Sequence, residues 1–201
     1  MKDLMKIDKA VLQELRDHTG LGLMDCRKAL EETAGDFQQA LDLLRKKGAA
    51  VAAKRADKET GEGLVKAYIH PGDRLGVLIE INCETDFVAN TENVRQFAQD
   101  VCLQIAASKA MYVAPENVDA DLLEKEKEIF KAQMADSGKP EKIIDQVVEG
   151  KIKKLYSDIC LLEQPFIKND QFTVRQVLED LMAKTGESIR IRRFCRFELG
   201  K

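Results

Sequence analysis

The spacing of apolar residues changes at residue 83, and this change constrains the fold more than any other feature of the chain. Upstream, every second residue is apolar: Leu75, Val77, Ile79, Ile81 and Cys83. This period of two is typical of a half-buried strand. Downstream, apolar residues recur with helical spacing at Val94, Phe97, Ala98, Val101 and Ile105. The sequence therefore predicts a strand that leads into a helix through one short connection.

The connection itself, Asn82–Asn90, places two acids, a hydroxyl and a large aromatic side chain next to one another. Binding residues are often found on such short loops, because a rigid scaffold holds them in place. In the alternative interpretation, Phe87 folds back into the core while Asp86 or Thr91 caps the following helix. The residues of the connection leave both interpretations open.

Helical patterns in the N-terminal part of the chain predict a small domain. Asp8 can cap a first helix, which Gly20 ends. A second helix follows at once, and Gly35-Asp36 both ends it and caps a third. The polar, glycine-rich stretch beyond them is typical of a flexible linker. We therefore predict a three-helix domain over residues 1–55, a linker over 56–63 and a second domain over 64–201.

The second domain combines strand and helix patterns. Alternating residues on both sides of the Pro71-Gly72-Asp73 turn predict a β-hairpin. The β-branched and aromatic residues of 188–197 predict a third strand beside it. Helices are predicted at about 92–109, 120–136, 140–156 and 173–184. The predicted fold class is thus α+β, with a three-stranded antiparallel sheet covered by helices.

Composition and motifs exclude several functional classes. The 201 residues carry a net charge of −3, so no overall field attracts nucleic acid or anionic lipid. No apolar run approaches the roughly 18 residues of a membrane span, and the start lacks the apolar segment of a signal peptide. We expect a cytoplasmic protein with no direct nucleic-acid partner and no membrane partner.

Catalytic and metal-binding patterns are missing from the sequence. No phosphate-binding loop occurs, and His18 and His70 have no cysteine or carboxylate partner at a fixed spacing. The five cysteines include no CxxC pair, so most are expected to be buried apolar residues. We therefore predict no enzyme activity, no cofactor and no metal site.

The last predicted strand has two different faces. Arg190, Arg192 and Arg196 share one face, and the opposite face is apolar, with Ile189, Ile191, Cys195 and Phe197. A basic face can bind phosphates, but this strand lacks the aromatic platform on which RNA bases stack. A solvated or intersubunit face is the favoured interpretation. Cys195 would then lie where two copies meet at an edge strand, with a buried thiol as the alternative.

Four segments carry a resemblance to a known family. They are Leu15–Leu30 with Gly35, Asp36 and Ala40, then Asn82–Ala89, Ser137–Phe166 and Arg193–Gly200. The first reads LRDHTGLGLMDCRKAL and the second NCETDFVA. In this order, and over nearly the whole chain, they resemble the elongation factor Ts family, the guanine-nucleotide exchange factors of elongation factor Tu.

The resemblance implies a fold, a partner and site residues. It implies an N-terminal domain of the ubiquitin-associated type and a wedge that enters the partner's GTPase domain beside its magnesium site. The wedge residues would be Thr85, Asp86, Phe87 and Val88. The contacts of the helical domain would come from Arg16, Met24 and Arg27.

This sequence departs from the longer members of the family, because only one sheet-forming half is found. It resembles the short members, in which two copies assemble through their core sheets, and a homodimer is expected. Leu21 and Leu23 stand where Ala and Met are common, and Arg27 replaces the commoner Lys. The residues of the helical domain alone also leave open a non-catalytic adaptor that binds ubiquitin-like proteins or peptides, with a dimerising core.

Overall fold

Helices and small sheets alternate along the chain in a computed structural model that describes residues 7–55, 57–134 and 140–201. The helices are α1 (Lys9–Thr19), α2 (Leu23–Glu32), α3 (Phe37–Lys54), α4 (Asp86–Ala89), α5 (Glu92–Ala107), α6 (Ala120–Met134), α7 (Glu141–Ile159) and α8 (Val174–Thr185). The strands are β1 (Glu62–Ile69), β2 (Leu75–Cys83), β3 (Pro165–Phe166), β4 (Asn169–Thr173) and β5 (Ile189–Glu198). The fold is therefore α+β, as the sequence predicts.

Helices α1 and α3 begin after the predicted caps and α1 ends at the predicted glycine, whereas α2 ends at Glu32 with Thr33 as its cap, before the predicted Gly35. The Asp8 carboxylate accepts a hydrogen bond from the Ala10 amide, and the Asp36 carboxylate accepts one from the Gln39 amide, each at 2.9 Å. Gly20 ends α1 with a φ of 66°, a conformation that glycine adopts without steric cost. The helices pack around one apolar cluster: Leu15, Cys26, Ala29, Leu30, Ala40, Leu41 and Leu44.

The main sheet has the strand order β1-β2-β5, so the predicted three-stranded sheet is confirmed. In the turn of the hairpin, the His70 amide donates to the Leu75 carbonyl at 2.8 Å. Strands β2 and β5 run antiparallel, because the Ser188 amide bonds to the Glu84 side chain and the Leu199 amide bonds to the Arg74 carbonyl. The packed face of β2 is the predicted one, with Val77, Ile79, Ile81 and Cys83 buried.

The opposite face of the sheet is also apolar, but it is exposed. It carries five large side chains that we call the exposed sheet face: Val65, Ile69, Leu78, Phe197 and Leu199. In β5 the predicted alternation holds for Ile189 and Ile191, which are buried, and is wrong for Phe197, which is 74% exposed. Two consecutive residues of β5, Arg192 and Arg193, are both exposed. The strict alternation of buried and exposed side chains is therefore broken at this point of the strand, and Phe197 no longer lies on the buried side.

Several short elements were not expected from the sequence. They are α4, the 3-10 turns Pro115–Asn117 and Leu161–Glu163, and the antiparallel pair β3-β4. Helix α7 also continues three residues past its predicted end. The predicted end of α6 at 135–136 and the family segment at 137–139 lie outside the described residues, as does residue 56, the first of the predicted linker.

Contacts between Cα atoms divide the chain into two compact units. One contains Met1–Leu64, Ile81–Arg95 and Gln176–Arg190, and the other contains Val65–Glu80, Gln96–Arg175 and Ile191–Lys201. The domain boundaries at residues 55 and 63 stay a prediction. None of the helices in the described ranges is long and apolar enough to cross a membrane.

Candidate functional site

The segment after β2, residues 85–88, forms most of a helix of only four residues, and we call it the TDFV segment. Its first residue, Thr85, has extended backbone angles, and its Oγ1 accepts a hydrogen bond from the Val88 amide at 3.3 Å. Threonine is a favoured residue for this capping position. At the other end, the Asn90 amide donates to the Asp86 carbonyl at 3.0 Å. The sequence therefore fixes a compact turn where an open loop was expected.

Phe87 points into solvent from this turn and is 81% exposed. Phe87 is therefore exposed, as the binding interpretation of the connection requires, and its alternative placement in the core is wrong. Asp86 is also exposed, whereas Ala89 is buried and anchors the turn. The cap of α4 is Thr85. Thr91 lies directly before α5, the helix to which the alternative refers, and its carbonyl accepts a hydrogen bond from the Arg95 amide at 3.1 Å. The Thr91 hydroxyl donates to the Val88 carbonyl at 2.7 Å.

Two carboxylates join the TDFV segment to the start of β5, and we call them the carboxylate pair, Glu84 and Glu187. Glu187 accepts two hydrogen bonds from Thr85, one from its amide at 3.1 Å and one from its hydroxyl at 2.7 Å. Glu84 accepts one from the Ser188 amide at 2.6 Å and one from the Arg55 guanidinium at 2.7 Å. In each of the two chain segments, a carboxylate thus accepts a hydrogen bond from a backbone N–H of the other segment.

The contacts of the carboxylate pair are not predicted by the sequence analysis. Thr85 and Glu187 lie 102 residues apart in the chain, so no local pattern connects them. The signal for these contacts is the predicted pairing of the hairpin with the last strand, since this pairing brings the end of β2 beside the start of β5.

The electrostatics of this region follow from these contacts. The Ser188 amide and, next, the Arg55 guanidinium hold the pKa of Glu84 below its usual range. Burial and, to a smaller extent, the nearby Glu187 carboxylate raise the pKa of the Cys83 thiol to about 11. Cys83 is therefore a protonated, buried thiol at neutral pH and is unsuited to nucleophilic attack.

The three residues indicated on the helical domain all lie on its surface. Arg16 is exposed in the last turn of α1, and Met24 is 59% exposed in the first turn of α2. Arg27 is also exposed and forms an ion pair with Glu31, one helical turn further on, at 2.9 Å. All three side chains are thus accessible to solvent in the single chain.

Cys195 differs from the other cysteines of the chain. Cys26, Cys83, Cys102 and Cys160 are buried, as expected for small apolar residues, whereas Cys195 is half-buried in β5. The alternative of a fully buried Cys195 thiol is therefore wrong. In the part of the chain that the structure describes, no group of three or more His, Cys, Asp or Glu side chains has the arrangement of a metal site.

Comparison with known proteins identifies the family. The model of the family described as Elongation factor TS matches residues 6–201. The chain belongs to the elongation factor Ts family. It is 52% identical over 198 residues to elongation factor Ts of Desulforamulus reducens, covering 98% of this chain and 91% of that protein.

Two further relatives show the same extent of similarity to this member of the elongation factor Ts family. The protein of Heliobacterium modesticaldum is 53% identical over 195 residues, covering 97% of this chain and 91% of its own length. That of Caldanaerobacter subterraneus subsp. tengcongensis is 52% identical over 195 residues, with coverage of 97% and 98%. Membership in the elongation factor Ts family makes the chain a translation elongation factor that takes part in protein biosynthesis.

Proposed function

We propose that the chain is the guanine-nucleotide exchange factor of elongation factor Tu. The observation that carries this proposal is the exposure of Phe87 on a turn whose backbone is fixed by the Thr85 cap and by Glu187. A large aromatic side chain gains free energy when it leaves water, so it is suited to enter a partner. Family membership supplies the identity of that partner.

The proposed mechanism acts on the magnesium and phosphate site of the partner. A GTPase holds GDP through backbone amides of its phosphate loop, a lysine and a magnesium ion. Phe87 inserts between helices of the GTPase domain and shifts the elements that position magnesium and the β-phosphate. Asp86, exposed beside it, competes for hydrogen bonds or repels anionic ligands. Thr85 and Val88 complete the wedge by fixing its backbone.

Phe87 alone does not account for rapid exchange. Full burial of a phenylalanine contributes roughly 1.5 to 3 kcal/mol, which corresponds to about one to two factors of ten in GDP affinity. Further binding energy must come from other surfaces. We assign it to the N-terminal helices, proposed to be a domain of the ubiquitin-associated type, whose contact residues are Arg16, Met24 and Arg27. Their exposure supports this assignment.

Coupling between the two ligands is reciprocal. If this chain weakens GDP on its partner, rebound nucleotide weakens the chain by the same factor and displaces it. The chain thus accelerates exchange without selecting GTP over GDP, and it acts by binding rather than by covalent chemistry. It requires no cofactor of its own, and its place of action is the cytoplasm, where elongation occurs.

We further propose that the working unit is a homodimer formed through the exposed sheet face. Phe197, Leu199 and Val65 are each more than 60% exposed in the single chain. An exposed apolar surface of this kind favours association with a complementary surface, and a second copy supplies one. Cys195 lies in the same strand as Phe197 and would approach the interface.

Release of labelled GDP from elongation factor Tu tests the proposed exchange activity. The chain, at a tenth of the partner concentration or less, is expected to accelerate complete release, because each copy dissociates and acts again. An adaptor with a dimerising core would bind proteins without changing this rate, and the comparisons do not favour it. Release at the spontaneous rate at every concentration of the chain would contradict the proposal.

A further inference from the structure

Thr85 is held from two directions, and one of these contacts comes from the far end of the chain. Its hydroxyl accepts a hydrogen bond from the Val88 amide and donates one to Glu187 Oε1. Its own amide donates to Glu187 Oε2 at 3.1 Å. One carboxylate therefore fixes both the rotamer of the cap and the backbone orientation at the first residue of the TDFV segment.

Glu187 is itself held in a defined place. It follows Gly186, which ends α8 with a φ of 72° and donates its amide to the Met182 carbonyl at 2.8 Å. It precedes Ser188, whose amide bonds to Glu84 at 2.6 Å. Both neighbours of Glu187 in the chain thus have backbone hydrogen bonds that set its position. The carboxylate reaches Thr85 from a rigid segment rather than from a free loop.

These contacts are strong enough to control the turn. Hydrogen bonds to a charged group are roughly twice as strong as neutral ones, and both are partly shielded from water here. A helix of four residues has too few internal hydrogen bonds to hold its own conformation. The direction in which Phe87 leaves the surface therefore depends on Thr85, and through Thr85 on Glu187.

We infer that Glu187 is a positioning residue for nucleotide exchange: it orients the TDFV segment so that Phe87 enters the partner in a productive direction. This inference rests on the proposed function. Glu187 acts through Thr85 and is not assigned a contact with the partner. Its loss should affect the rate at which bound GDP leaves the complex more than the affinity of the complex, since Phe87 and the surface of the helical domain remain present.

The test measures GDP release from elongation factor Tu at increasing concentrations of the chain. Glu187→Ala is expected to lower the maximal release rate at least about tenfold, since it removes both hydrogen bonds from Thr85 to a charged group and one such bond alone corresponds to about a factor of ten. The concentration that gives half of the maximal rate should change about twofold or less, because the binding surfaces are retained. Glu187→Gln keeps the shape and one acceptor oxygen, so its maximal rate should lie between those of Glu187→Ala and the unchanged chain.

A matched control variant distinguishes the effect of losing the Glu187 contact from the effect of losing one negative charge. Glu59 is exposed in the connection between α3 and β1, and Glu59→Ala removes the same charge from the same compact unit. It should release GDP at the rate of the unchanged chain. Thr85→Val removes the hydroxyl contact with Glu187 and keeps the amide contact. In this background Glu187→Ala should lower the maximal release rate by a smaller factor than it does alone, because part of its effect passes through the Thr85 hydroxyl.

Amide hydrogen exchange supplies a readout that a general loss of stability would not reproduce. In Glu187→Ala the amides of Thr85 and Val88 should exchange faster, while the amide of buried Ile81 keeps its rate. Equal acceleration at all three amides would overturn the inference, as would a maximal release rate equal to that of Glu59→Ala. If Glu187→Ala does not fold, Glu187→Gln decides, and an unchanged maximal rate overturns the inference.

The same experiment separates this inference from the proposed function. If the unchanged chain fails to accelerate GDP release, the proposed function itself is wrong. If it accelerates release and both Glu187 variants match it, the exchange function stands and the positioning role of Glu187 is wrong.

Discussion

Gly63 lies where β1 meets β2, close to the start of the TDFV segment, and no other residue type fits there. Its φ is 153°, and a Cβ atom on it would lie 2.1 Å from the Ile81 carbonyl oxygen. For Gly61, two residues earlier, the described residues beyond its chain neighbours place no heavy atom within 4 Å of the Cβ position. The two glycines therefore form a matched pair for testing backbone strain.

Gly63→Ala is expected to lower the free energy of unfolding by about 2 to 4 kcal/mol, because the new methyl group forces β1 away from β2. Gly61→Ala should change it by less than about 0.5 kcal/mol. Urea denaturation followed by circular dichroism measures both. Similar stability of the two variants would show that this close approach of backbones does not constrain the sheet.

Asp86 offers a separate test at the level of one side chain, since it is exposed beside Phe87. Asp86→Ala should leave the free energy of unfolding within about 0.5 kcal/mol and slow GDP release from elongation factor Tu. Asp86→Asn distinguishes the two proposed roles of the carboxylate. It retains activity if Asp86 accepts a hydrogen bond and loses it if its charge repels an anionic ligand.

The control for the Asp86 variants is Asp57→Asn, which removes the same charge from an exposed position outside the TDFV segment. Its release rate should equal that of the unchanged chain. A normal rate for Asp86→Ala as well would contradict any role of Asp86 in exchange.

Glu84 connects the end of strand β2 to the start of strand β5 through hydrogen bonds, and the stability that these bonds contribute depends on pH. The Ser188 amide and Arg55 hold the pKa of Glu84 below its usual range in the folded chain. A carboxyl whose pKa is lowered on folding contributes stability that is fully present above its unfolded pKa and is lost as pH falls through its folded pKa. Glu84 should therefore stabilise the contact between the ends of β2 and β5 at neutral pH and not in strong acid.

Unfolding of Glu84→Gln at a series of pH values checks this expectation. The unchanged chain should be more stable than the variant above about pH 5, and the difference should shrink below about pH 4, as the carboxyl becomes protonated. Glu59→Gln serves as a charge-matched control. A difference between the chain and Glu84→Gln that stays constant down to pH 2 would contradict the role assigned to the ionised carboxylate.

The sequence predicts those helices and strands whose limits are set by residues close to one another in the chain. Asp8, Gly20 and Asp36 act within their own turns, so the limits of the first helices follow from short-range chemistry. Helix α4 has four residues and no measurable periodicity, and β3 has only two. The contact of Thr85 with Glu187 depends on two segments that only the tertiary fold brings together.

The two faces of the sheet also show which features the sequence predicts and which depend on the tertiary fold. Alternation in β2 predicts which side chains are buried, because α+β packing covers one face of a sheet. In β1 the alternation of Val65 and Ile69 shows that one side is apolar, but it does not show what covers that side. The residues of this chain that are proposed to contact the partner were indicated by the family motifs. Exposure of a side chain does not by itself identify a partner.

For the whole molecule, the exposed sheet face decides the proposed state of association. Phe197→Asp places a charge on this face and should shift the chain towards the monomer, because burial of an unpaired carboxylate is unfavourable. Met111→Asp is the control, since Met111 is also well exposed but lies outside that face. Sedimentation equilibrium with reductant measures the mass. A monomeric unchanged chain, or a dimeric Phe197→Asp variant, would contradict dimerisation through this face.

In the proposed exchange mechanism, Phe87 is the residue that enters elongation factor Tu. Phe87→Ala should have the same thermal unfolding midpoint as the unchanged chain, because the ring is exposed and packs little in the free protein. Met111→Ala provides a control in which another exposed apolar side chain is shortened.

The most direct measurement is the maximal rate of labelled GDP release from elongation factor Tu with Phe87→Ala, compared with the unchanged chain and Met111→Ala. We predict a rate lower by about one to two factors of ten for Phe87→Ala, matching the burial energy of the ring, and no change for Met111→Ala. Release by Phe87→Ala at the rate of the unchanged chain would contradict the central role of this residue.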